Sequence, residues 1–141
     1  MASINPYLNF NGNAEAAFNF YKTVFGGEFL VVQRFGDVPE IGNVPENEKN
    51  RIMHISLPLT NKSVLMGCDT VSTFGPAVVS GSNVTLSITS ESEVEADQLF
   101  LRLASSGKIT MPMQKTFWGS YFGMLTDQFS IQWMISYEYS N

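Results

Sequence analysis

The chain runs twice through one order of local signals, strand–helix–strand–strand–strand, the second pass starting about 80 residues after the first. That repeat constrains the fold more than any single motif, because it sets the order of elements over the whole length. In the first pass, residues 4–10 (INPYLNF) alternate in polarity and predict a short strand. Ala14, Ala17, Phe18, Tyr21 and Phe25 follow at helical spacing as one apolar stripe, and Gly26-Gly27 supplies the positive-φ stop. Residues 28–35 (EFLVVQRF), then RIMHISLPL and SVLMGCD, predict three more strands. In the second pass NVTLSITS is the strand, and Ser90 with Glu93 reads as an S-x-x-E capping box. Ala96, Leu99, Phe100 and Leu103 form the helix stripe and Gly107 ends it. KITMPMQ, WGSYFGMLT and SIQWMISYEY supply the last three strands. Helix starts (Gly12-Asn13 and Ser90-Glu91) and stops (Gly26 and Gly107) correspond, while letter identity between the passes is low. The reading is one α+β domain over 1–141: module one at about 1–70, a linker at about 71–81, module two at about 82–141.

Residues 36–50 (GDVPEIGNVPENEKN) hold two Pro and two Gly among charges and predict a mobile loop long enough to be functional. Residues 70–82 (TVSTFGPAVVSGS) are small and uncharged and read as the flexible linker. A two-residue hairpin turn at Asn61-Lys62 sets Thr60 against Ser63, and that register sets His54 opposite Asp69.

Composition narrows the partners. The net charge of −5 comes without a run of Lys or Arg, which excludes the cationic stripe that nucleic acid or an anionic membrane requires. Cys68 is the single cysteine, so no intrachain disulfide or CxxC clip forms, and a reducing cytoplasm is expected. The start, MASINPYLNF, lacks the features of a signal peptide, and no stretch reaches the roughly 18 apolar residues of a membrane span. Eleven Phe, two Trp and five Tyr exceed what folding needs, which suggests that some rings line a ligand cavity.

Three segments then narrow the family. PYLNFNGNAEAAFNFYKTVFGGEF resembles the opening of the PhnB-like branch of the glyoxalase/bleomycin-resistance/dioxygenase (vicinal oxygen chelate) superfamily, with its PYL strand, GNA-led helix and FGG turn. RIMHISLPLTNKSVLMGCD resembles its paired middle strands, with the same His and closing Asp. QKTFWGSYFGMLTDQFSIQW resembles its closing signature: Trp-Gly, then Gly, then Asp-x-Phe-x-x-x-Trp. The branch usually has Gly where this chain has Ser130, so that turn must adjust. The resemblance implies a glyoxalase-like fold: a cupped mixed sheet with helices on its outer face. Together with the sheet edges two such modules leave, it also implies a homodimer. Branch members often carry the label 3-demethylubiquinone-9 3-methyltransferase. This chain offers no glycine-rich strand–helix turn with an acidic partner, so methyl transfer is not expected.

Metal-binding relatives draw His or Glu ligands from the first and fourth strands of each module. Carried over, those positions fall on Pro6, Met66, Asn83 and Met134, and a one-residue slip gives Tyr7, Leu65, Val84 or Trp133. None is an imidazole or carboxylate, so a divalent metal is disfavoured and no cofactor is expected. His54 with Asp69 is the one His–carboxylate pair: a general base with its orienting carboxylate, or a cross-strand structural pair. Cys68 alternates to the face opposite Asp69, whose charge would raise the thiol pKa, so it reads as an apolar filler. Gln114, Phe117, Trp118 and Tyr121 form the richest cluster, either a stacking wall with an orienting amide or core aromatics. Tyr7 and Met134 join them as candidate ligand contacts. Three functions compete: a metal-independent small-molecule-binding or resistance-type protein; a lyase, isomerase or dioxygenase of the same superfamily, working through His54 and Asp69 or through a divalent metal; and a structural or regulatory dimer with a vestigial cleft.

Overall fold

A computed structural model of the chain describes residues 2–59 and 63–139. It comprises two compact units, Met1–Val79 and Ser80–Asn141. In the first, β1 (Tyr7–Phe10), α1 (Ala14–Phe25), β2 (Val31–Arg34), β3 (Ile52–Pro58) and β4 (Val64–Asp69) form a sheet of order β1-β4-β3-β2. Its β1–β4 pair is parallel and the others antiparallel. The second repeats this with β5 (Leu86–Thr89), α2 (Glu93–Leu103), β6 (Lys108–Lys115), β7 (Ser120–Thr126) and β8 (Gln132–Glu138), in order β5-β8-β7-β6. The fold is α+β, two βαβββ modules, each closing its own four-stranded mixed sheet with one helix on one face.

The apolar stripe of α1 decides which face of the first sheet is core. Ala14, Ala17, Phe18, Tyr21 and Val24 are buried, with Phe25 only half-buried. Burial of rings the size of Phe18 and Tyr21 contributes about 1.5–3 kcal/mol each. Phe18 lies on Gly67 of β4, where an added Cβ would come within 2.6 Å of the Leu8 carbonyl oxygen and 2.8 Å of Phe18. Only glycine admits the ring that closely.

Four local expectations change. The cap of α2 is Ser92, whose side chain accepts from Glu95 N at 3.0 Å, while Ser90 donates to the Ser92 and Ser136 carbonyls. Both Ser90/Glu93 and Ser92/Glu95 match S-x-x-E, and only the second stands immediately before the helix, which begins at Glu93. The loop at 36–50 is not loose: its 3₁₀ turns hold Val44 and Glu48 inside, and Phe35, Val44 and Val71 form a small core. The stretch expected as a free linker is likewise anchored to module one as far as Val78. Asn11 brackets the Val78 backbone at 2.9 and 3.0 Å, and Ser72 donates to Glu48 at 2.6 Å. Small side chains there allow close packing as readily as flexibility. Finally, the turn at Asn61-Lys62 and its Thr60–Ser63 pair lie outside the described residues. The ladder on either side pairs Ile55 with Gly67 and Leu57 with Leu65, one residue out of step with the expected register.

Candidate functional site

On the face of the first sheet opposite α1, alternation and register collect Tyr7 and Asn9 from β1, Met66 and Cys68 from β4, and His54 and Ser56 from β3. Tyr7 reaches across β4 to His54: the rings stack with centroids 5.7 Å apart at 26°, and the Tyr7 hydroxyl lies 3.2 Å from His54 Nδ1. Burial, then a hydrogen bond to Cys68, pushes the Tyr7 pKa up to about 12, so the phenol is protonated at neutral pH. Burial raises the Cys68 thiol pKa too, with the Asp69 charge adding to it, and Sγ donates to Asn9 Oδ1 at 3.4 Å. A protonated, half-buried thiol is a poor nucleophile.

The expected His54–Asp69 pair does not form. The one-residue offset aligns His54 with Cys68, and a one-residue slip moves side chains to the opposite face. Asp69 is instead buried on the α1 side, where it accepts from Gly12 N and Ala14 N at 2.9 Å and Ile52 N at 2.8 Å. That carboxylate is a structural cap.

Beside this polar face lies a cleft of about 310 Å³ lined by Phe35, Cys68, Thr70, Val71, Phe74 and Pro76, among others. Phe35 and Phe74 stack along it at 6.3 Å and 23°. Sequence reasoning missed these walls because Phe35 ends a predicted strand and Phe74 sits in a Gly- and Pro-bearing stretch read as a linker. An aromatic next to Gly-Pro (Phe74-Gly75-Pro76) was the available signal. A second, polar groove of about 480 Å³ at the start of α1 includes Arg34 and Arg51. Its guanidinium groups are already engaged, Arg34 by Glu15 at 2.6 Å and Arg51 by the Thr70 carbonyl at 2.8 Å.

Module two splits the expected aromatic cluster. Tyr121 lies on the α2 side of its sheet and donates to Asp97 of that helix at 2.7 Å, which pushes its pKa up to about 12. Gln114, in register with Phe122, lies on the other face, as does Met134 beside Met124. Trp118 packs edge-on against Phe122 at 6.0 Å, and Phe117, at the tip of the β6–β7 turn, is 98% exposed. So Trp118, Gln114 and Met134 remain on one side, without Tyr121.

The positions carried over for a divalent metal do not fit one. Pro6 contributes only its carbonyl, which accepts from Met66 N; Met66 and Met134 are thioethers and Asn83 is an exposed amide. The slipped positions are no better: Leu65 and Trp133 are core and Val84 is exposed. Among the described residues no three His, Cys, Asp or Glu side chains converge.

The closing signature proves structural. Asp127 Oδ1 accepts from Phe129 N at 2.8 Å and Ile131 N at 3.0 Å, and Oδ2 accepts from Trp133 Nε1 at 2.8 Å, folding the β7–β8 turn. Ser130 takes a φ of +71° there, the left-handed conformation that explains the glycine expected at this position.

Comparison with known proteins agrees with this geometry. The family model described as 3-demethylubiquinone-9 3-methyltransferase matches residues 2–136. Protein YjdN of Escherichia coli K12 is 33% identical over 94% of this chain and 93% of its own. The crystal structure of PA1353 from Pseudomonas aeruginosa superposes with a TM-score of 0.83 at 37% identity, covering 98% of both chains. A putative 3-demethylubiquinone-9 3-methyltransferase, PhnB protein, from Bacillus cereus gives 0.74 at 27%, covering 96% of this chain and 99% of the other. At 15% identity and a TM-score of 0.68, a glyoxylase/bleomycin resistance protein/dioxygenase domain from Frankia shares the fold over 99% of each chain. The repeat, the capped first helix and the Asp127 turn thus find their place: the chain belongs to the 3-demethylubiquinone-9 3-methyltransferase family, a PhnB-like branch with the glyoxalase-like fold.

Proposed function

We propose that the chain is a small-molecule-binding, resistance-type protein of the glyoxalase-like superfamily that works without a resident divalent metal. The cleft of about 310 Å³ with its stacked Phe35–Phe74 wall carries this reading. Its size and apolar lining with a few polar groups suit a small ligand. The donor set at Pro6, Met66, Asn83 and Met134 supports the absence of a metal. Methyl transfer is not part of the proposal. The N–H groups at the start of α1, which would hold an anionic group of a nucleotide-like cofactor, already bond Asp69. The proposal places the protein in the cytoplasm, where one unpaired cysteine is at home, and makes it a homodimer through its edge strands β1, β2, β5 and β6.

A second reading, a lyase, isomerase or dioxygenase, finds its support in the Tyr7–His54 contact, an acid–base pair on an open sheet face. Metal analysis of purified protein, combined with a thermal-shift screen of neutral and charged aromatics, separates the readings. Far less than one equivalent of metal is expected, with a melting-temperature rise matching about 2.7 kcal/mol at a hundredfold excess over Kd. One equivalent of side-chain-bound metal overturns the metal-free reading. Silence across the screen favours a vestigial cleft, and a monomer at micromolar concentration in sedimentation removes the dimer.

A further inference from the structure

We propose that module two carries a binding site of its own, on the α2 side of its sheet, for a small quaternary ammonium cation. Tyr137 and Tyr139 supply the ring faces, Glu93 and Asp97 supply the charge, and the Lys115 amine occupies the place when no ligand is bound.

Strand register builds the site. Lys115 of β6, Tyr121 of β7 and Tyr137 of β8 are successive partners in one cross-strand row, on the face where Tyr121 meets α2. Tyr139 follows two residues after Tyr137 on that face and meets it edge to face, with centroids 5.3 Å apart at 81°. The two rings form a corner. From the helix, Asp97 accepts the Tyr121 hydroxyl at 2.7 Å, and Glu93 accepts the Tyr139 hydroxyl. The Glu93 charge helps to raise the pKa of both phenols, so it acts on both sides of the corner. The three rings and both carboxylates are half-buried, neither sealed off nor in open water.

Charge is the second observation. Glu93 and Asp97 lie four residues apart on α2, so two like charges share one helix face, a placement that weakens a helix. Residues 90–101 contain no Lys or Arg to offset them. The ion pairs among the described residues use other carboxylates, those of Glu15, Glu28, Glu46 and Glu48. With Lys115 counted, two carboxylates still face one ammonium.

The third observation is a cation already in place. Lys115 reaches from the edge strand β6 past β7 and sets Nζ 5.7 Å from the centre of the Tyr139 ring. That is near the limit of about 6 Å for a cation–π contact. The amine ends a flexible, exposed side chain, which a ligand displaces at little cost. One oxygen of each carboxylate is already taken by a phenol, so the corner offers ring faces and a negative field more than free acceptors. A methylated ammonium has no N–H to satisfy and matches that offer better than a primary amine.

The test is an NMR titration of the full chain with choline chloride at constant ionic strength. Its neutral isostere, 3,3-dimethylbutan-1-ol, serves as the control. Choline is expected to shift the Tyr137 and Tyr139 ring resonances saturably, with its own methyl signals moved upfield, and the alcohol to bind at least about tenfold more weakly. Tyr139→Leu should weaken choline binding by about two- to thirtyfold, the range for one cation–π contact, while Tyr139→Phe keeps the ring and the binding. Glu93→Gln should weaken it too. Lys115→Ala, at an exposed edge position, should tighten binding, because the internal competitor is gone. If the alcohol binds as well as choline, recognition rests on apolar shape and the proposal falls. It falls equally if no tyrosine resonance shifts saturably, or if Lys115→Ala leaves choline binding unchanged or weaker. The module-one cleft is untouched by any of these outcomes.

Discussion

The carboxylate of Asp69 on β4 accepts the backbone N–H of Ala14 at 2.9 Å, capping a helix whose own N-cap residue, Asn13, makes no side-chain capping bond. With Gly12 N and Ile52 N on the same carboxylate, one side chain ties α1 and β3 to β4. Asp69→Ala leaves these buried donors unsatisfied and is expected to cost about 3 kcal/mol or more, read by urea denaturation followed by circular dichroism. A loss below about 1 kcal/mol would show that the cap is dispensable.

Ser130 adopts a φ of +71° at the β7–β8 turn. A side chain in that region is strained by about 1 kcal/mol, partly offset by the greater entropy glycine loses on folding. Ser130→Gly is therefore expected to stabilise by roughly 0.5–1 kcal/mol. Thermal unfolding checks this, and a clear destabilisation would mean that Ser130 makes a compensating contact.

Three tyrosines should ionise late. Tyr7, through burial, Tyr121, through its bond to Asp97, and Tyr139, through burial and then Glu93, are each pushed up to about 12 from 10.0. The fold favours the neutral phenol in each, so this stabilisation is complete below about pH 10 and is lost as pH rises from 10 toward 12. Phenolate absorbance should show these groups titrating with alkaline unfolding, and Tyr7→Phe should remove one of the late steps. A single ionisation near pH 10 of every phenol in a still-folded protein would contradict the assignment.

Trp118 offers a readout on module two. A ligand seated on the face that holds Gln114, Phe122 and Met134 is expected to quench Trp118 and raise the melting temperature, and Trp118→Ala should remove both effects. Tyr121→Phe, on the other side of the sheet, should lower stability by about 1 kcal/mol and leave binding intact. Trp133→Phe, the obvious background for fluorescence, deprives buried Asp127 of the indole N–H and should itself cost about 1–3 kcal/mol. Unchanged quenching in Trp118→Ala would exclude that face as the ligand wall.

How much of this was legible in the sequence depends on the range of the interaction. Helix stripes, glycine stops and strand alternation are local, and they placed both modules and the buried Ala14–Tyr21 face without any contact being seen, while the glycine-like turn at Ser130 was marked only by the family resemblance. Sequence alone also determined which donors stand at the metal positions, since side-chain chemistry does not depend on packing. Tertiary structure alone decided register and partnership. One residue of offset in the β3–β4 ladder moved His54 away from Asp69 and under Tyr7, and alternation made that offset a change of face. Packing turned Phe35, at the end of a predicted strand, and Phe74, in an apparent linker, into the walls of a cleft. Small residues allow close approach as well as freedom, and only contacts distant in sequence select between them.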